Sequence, residues 1–154
     1  MKRYLTTLLG IICLICSCEK PETTITEGSP EFSGQMTVLY EGEEFLQNDI
    51  KIQVEFDQSK STVDIMLKKV KFVPAMPVKL DISILKVPVT LQDDGSWKVS
   101  GDDIIPWAMG GPYDTYRVDD LKGTLTDTTC EFSLGFYNTK KQANYPTSYS
   151  GVLQ

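Results

Sequence analysis

The side chains of this sequence that could do chemistry are its carboxylates, one thiol within an apolar run and a few aromatics. Acidic residues come in adjacent pairs: Glu43-Glu44, Asp93-Asp94, Asp102-Asp103 and Asp119-Asp120. Paired carboxylates serve calcium coordination or acid/base work on a glycosidic bond. Both uses need the oxygens to converge, whereas neighbours along a strand point to opposite faces, so solvated turn charges are the simpler reading. No Asp-x-Asp-x-Asp-Gly loop occurs, and calcium at an acidic turn is left as the minor alternative. The 154 residues include no histidine, which removes Ser-His-Asp triads, histidine-ligated zinc and imidazole catalysis. Phosphate-binding glycine loops are missing too. Cys130 has no base to activate it and fits a packed thiol better than a nucleophile. The expectation is a non-enzyme with no catalytic residues, no metal site and no cofactor.

Binding is then the chemistry to look for. Between Ile104 and Tyr113 the chain sets Trp107, Met109 and Tyr113 in an irregular stretch with two prolines and Gly110-Gly111. Loops tend to carry function, and an aromatic face there could stack on a sugar or close over an apolar ligand. The competing reading turns Trp107 and Met109 inward to plug one end of the domain. Trp97, which opens the strand after the tight turn at Asp93-Asp94-Gly95-Ser96, completes the candidate ligand-binding set.

These residues need a scaffold, and the dominant apolar period beyond Phe32 is two. Met36, Val38 and Tyr40 share a face, as do Ile50, Ile52, Val54 and Phe56 against Lys51, Gln53 and Glu55, the pattern of half-buried antiparallel strands. After Val63, Ile65 and Leu67 the apolar set slips to Val70 and Phe72 across Lys68-Lys69, which one inserted residue would cause, so a bulge is expected there. Val78 to Leu91 slips in the same way with no turn residues, and reads as one long bent strand. Strands return at Tyr113 to Val118, Leu121 to Leu125, Thr129 to Phe136 and Tyr149 to Leu153. Phe32-Ser33-Gly34, Leu121-Lys122-Gly123 and Tyr149-Ser150-Gly151 each place a glycine in the core row, where another strand or ring can approach closely. No segment after Cys18 keeps a helical apolar period. The fold expected is all-β, a closed or nearly closed up-and-down antiparallel barrel of eight or nine strands, its first strand (Phe32 to Tyr40) paired with its last.

The first residues read differently. Met1-Lys2-Arg3 is a basic head and Tyr4 to Ile15 an apolar run of secretory length, too short to span a bilayer. Ile15-Cys16-Ser17-Cys18 resembles the lipobox of bacterial lipoproteins, which implies cleavage before Cys18 and its acylation. That cut removes residues 1–17, leaves 137 of the 154 and takes the formal charge from −6 to −8, arguing against nucleic acid or an anionic membrane surface as a partner. Residues 18–31 hold the lipidated cysteine and a linker rich in Glu, Thr, Pro and Gly, reaching about 45 Å when extended. Residues 32–154 form one domain. Enteric lipoproteins kept at the inner membrane carry aspartate after the acylated cysteine, so Glu19, by resemblance, points to the outer membrane, on its periplasmic or cell-surface face.

The Phe32-Ser33-Gly34 strand, Ala75-Met76-Pro77-Val78 before a long strand, the Asp94-Gly95 turn, and the Leu121-Lys122-Gly123 and Tyr149-Ser150-Gly151 strands resemble the calycin-like β-barrel lipoproteins of Bacteroidetes. The resemblance covers about Phe32 to Gln154 and implies lipocalin-like architecture, without catalytic residues; the Gly-x-Trp signature of lipocalins is missing from the first strand. Two functions fit: a membrane-anchored monomer binding a small apolar or amphipathic ligand or a glycan, or a structural accessory lipoprotein with a filled barrel and a protein partner.

Overall fold

The computed structural model describes residues 29–154; the expected signal peptide, Cys18 and the linker to residue 28 lie outside the described residues. The described chain forms β1 (Glu31–Tyr40), β2 (Glu43–Phe56), β3 (Thr62–Val70), β4 (Leu80–Leu91), β5 (Trp97–Gly101), β6 (Trp107–Ala108), β7 (Gly111–Pro112), β8 (Tyr116–Leu125), β9 (Thr129–Asn138) and β10 (Ala143–Leu153). Eight of them, all but β6 and β7, close into an antiparallel barrel in which every strand neighbours the next along the chain. Closure joins β1 to β10 from Phe32↔Leu153 to Val38↔Thr147, so neither terminal strand has an open edge. At this seam Gly34 faces Gly151, and a methyl group on Gly34 would run into the β10 backbone at Ser150 and Gly151.

Four stretches differ from the sequence expectation: β4 starts at Leu80 rather than Val78, and Tyr113 to Val118 and Leu121 to Leu125 join through a bulge into the one strand β8. β10 begins at Ala143 rather than at Tyr149, because its first half alternates buried Tyr145 and Thr147 with exposed Asn144, Pro146 and Ser148, composition that reads locally as a turn. The irregular stretch after Gly101 contains a hairpin, β6–β7, which mounts on β4 through Ile82↔Ala108 and Ser83↔Trp107. It fills the side of β4 that the five-residue β5 is too short to cover.

The phase slips are bulges, as expected. Pairing of β3 with β4 shifts between Leu67 and Val70 and again near Val63, with Lys69 and Lys86 at φ 56°. Each extra N–H is taken by an aspartate on the neighbouring strand: Lys69 donates to Asp81 Oδ1 at 2.8 Å and Lys86 to Asp64 Oδ1 at 2.7 Å. A third bulge, in β8, puts Asp120 at φ 50° with its N–H on Asp102 Oδ1 at 3.0 Å.

Side chains fill the interior. At one end Phe72, from the loop after β3, packs on Phe136 and Tyr116 with ring centroids 4.1 and 4.9 Å apart. Buried Gln47 holds that loop as a strand partner would, donating to Lys71 O and accepting from Lys71 N–H, both at 2.9 Å. Phe132 stacks on Tyr149 further along, and Phe56 against Trp97 closes the opposite end.

Candidate functional site

The β6–β7 hairpin turns at Met109-Gly110, with φ of 53° and 84°. Positive φ at both central residues is the type I′ geometry whose twist suits a two-residue hairpin, and methionine adopts it at a conformational cost that asparagine or glycine would avoid. Met109 is 77% exposed at the tip and Trp107, on the outer side of the wall, is 42% exposed. Tyr113 anchors the base: its N–H donates to Pro106 O at 2.7 Å and its half-buried ring lies 5.2 Å from Tyr116. Burial pushes the Tyr113 hydroxyl pKa up from its ordinary value. Val78 and Ile105 add exposed apolar surface, Val78 on the loop leading into β4.

Trp107, Met109 and Tyr113 therefore come together on one hairpin. Trp97 does not join them: it begins β5 at the opposite end of the barrel, is 6% exposed and packs on Phe56, so it belongs to the core rather than to a shared ligand site. Plugging, the other reading of Trp107 and Met109, falls instead to Phe72. The sequence signal for this was Phe72 itself, in the shifted apolar row after the Lys69 bulge. Gln47 was missed, because it lies out of phase with Ile50 and turns inward only through a bulge at Asp49, φ 57°.

The carboxylates do three different things. Asp94 caps its own turn, accepting the Ser96 N–H and hydroxyl at 2.9 and 2.7 Å, contacts that lower its pKa. Asp103 pairs with Arg117 Nε at 3.1 Å. Two pairs are not turn charges: Glu43-Glu44 opens β2, and Asp119-Asp120 lies inside β8, where the bulge turns both side chains outward. Burial, followed by the charges of Asp102 and Asp103, raises the Asp119 pKa. Among the described residues no group of three or more acidic or thiol side chains converges as a metal would require. Cys130 is buried, and burial pushes its pKa up to about 12, the opposite of an activated nucleophile.

The barrel is similar to a solved one. A candidate outer-membrane protein of Bacteroides fragilis NCTC 9343 superposes with a TM-score of 0.60 at 17% identity, over 80% of this chain and 50% of that one. The chain thus spans about half the length of that protein, and the likeness is one of fold. No family model matches the chain, and no curated protein matches it. The eight-stranded up-and-down closure is also the architecture of lipocalins, but here rings and aliphatic side chains occupy the space in which a lipocalin holds its ligand.

Proposed function

We propose that this chain is a non-catalytic outer-membrane lipoprotein, held by acyl chains on Cys18, whose filled barrel presents the Trp107–Met109 hairpin to a protein partner. The observation that carries it is the position of the hairpin: it sits at the end of the barrel opposite Glu31, where β1 begins and the linker arrives. A tether entering at Glu31 leaves the hairpin end of the domain the farther one from the anchor. Tryptophan and methionine suit such a contact, one as a large anchor and the other as an adaptable apolar surface.

The outside of the barrel supports a lipid anchor. Lys51, Glu55, Lys98, Lys122, Glu131 and Ser148 are exposed on the strands while the inward rows are apolar, the reverse of a lipid-spanning barrel. No helix of the described residues is long and apolar enough to cross a membrane. A small apolar ligand inside the barrel is the weaker reading, because aromatic contacts fill the interior from Phe72 to Trp97.

Two measurements test the proposal. Metabolic labelling with a palmitate analogue should mark the wild type and miss Cys18→Ala, which should leave the membrane fraction. A photo-crosslinking residue at Met109 should capture a discrete protein in intact cells, one at Lys98 should not, and Trp107→Ala should abolish capture without lowering the melting temperature. A Cys18→Ala chain that stays labelled, or equal capture from both positions, would overturn it.

A further inference from the structure

We infer a second site, for a neutral saccharide of one or two units, in the trough on the outer wall formed by β1, β10, β9 and β8. It rests on observations separate from the hairpin. The trough has a volume of about 450 Å³, inside the range of roughly 300–1,000 Å³ usual for ligand clefts. Strand register lays two rows across it. One runs Thr37, Ser148, Ser133, three hydroxyls about 4.8 Å apart from strand to strand. The other runs Pro146, Gly135, Asp119, and its middle member has no side chain.

That gap is the floor. Gly135 is buried beneath the trough, and a methyl group on it would come within 2.5 Å of Asn144 Oδ1. Around the floor stand the Asn144 amide, the half-buried Asp119 carboxylate and, from the β8 bulge, Asp120, which is paired with Lys122. Exposed Leu39 and Pro146 provide an apolar ledge. Closely spaced donors and acceptors beside a small apolar face match a pyranose, whose hydroxyls ring a C–H face. Carboxylates at Glu44 and Asp119 exclude uronic acids and other anionic sugars by repulsion and unfavourable desolvation. Extended cationic peptide fits less well, because Asp120 is already paired and the hydroxyl row offers a cation no charge.

The experiment is an amide chemical-shift titration of the acylation-free Cys18→Ala chain with maltose, cellobiose and N,N′-diacetylchitobiose at millimolar concentration, with glucuronate and pentalysine as controls. At least one neutral disaccharide should shift Gly135, Asn144 and Ser148 saturably. Binding should weaken tenfold or more in Asp119→Asn and in Gly135→Ser, which moves only the flexible Asn144 side chain, and should persist in Trp107→Ala. Persistence in Trp107→Ala separates this site from the hairpin, whose failure as a partner surface would leave these shifts unchanged. No shift with any neutral disaccharide, shifts with pentalysine alone, or shifts that vanish in Trp107→Ala and survive in Asp119→Asn would each overturn the inference.

Discussion

Asp64, Asp81 and Asp102 are acceptors for backbone N–H groups that bulges displace from the ladder. A strand that gains one residue leaves a donor without its cross-strand carbonyl, and a carboxylate one strand away satisfies it. Replacing Asp64 by alanine should therefore cost about 1 kcal/mol in urea unfolding, and replacement by asparagine, which keeps an acceptor oxygen, clearly less. Cys130 and Tyr149 govern the alkaline limit. Burial raises both pKa values, the thiol from 9.0 to about 12, so the folded state holds protons that the unfolded chain releases. Their contribution is complete below about pH 9 and is lost as pH rises toward 12. The melting temperature should accordingly be flat from neutral pH to about 9 and fall beyond it, and in Cys130→Ala the fall should begin nearer pH 10, where unfolded tyrosine titrates. Native Cys130 should also resist a thiol reagent at pH 8 and react only after unfolding.

The seam between β1 and β10 is the element on which closure depends. Gly34 has no room for a side chain because the β10 backbone lies against it, whereas Gly111 has open space. Gly34→Ala should cost about 1–3 kcal/mol and Gly111→Ala close to nothing, a contrast that thermal melting of the two variants would show. Removing the last six residues takes away Tyr149, Gly151 and the pairs from Met36 to Phe32, and should cost several kcal/mol through lost burial and an opened edge; an unaltered melting temperature would count against closure. Gln47 matters at the same scale, since its amide replaces a strand for Lys71. Gln47→Leu leaves two backbone groups without their partner and should cost about 1–3 kcal/mol.

Across the whole molecule the two tryptophans report on the two ends. Trp97 is a core residue at the end where β1 begins and Trp107 an exposed one at the far end. Trp97→Ala should cost about 3–5 kcal/mol on unfolding, and Trp107→Ala under about 1. Trp107→Ala should leave a blue-shifted emission shielded from acrylamide, and a Trp97→Phe protein a red-shifted, quenchable one. Spectra in the reverse order would put the hairpin inside and remove the basis for a partner surface.

What the sequence by itself determined follows from its period of two. Alternation at Ile50 to Phe56 and at Cys130 to Phe136 is a local property, so each strand announces its own buried face, and a slip in phase at Lys68-Lys69 announces its own bulge. Glycine in the core row at Gly34 and Gly151 likewise signalled close approach. Tertiary structure alone decided what depends on which strands become neighbours. β10 extends back through Pro146 because β9 pairs with it there, and Phe72 takes the plugging place because Gln47 pins its loop. The hairpin stands outside because β5 ends at Gly101 and leaves β4 with backbone groups to satisfy. Each of these is settled by cross-strand register, which joins residues far apart along the chain and leaves no mark on the periodicity of either strand.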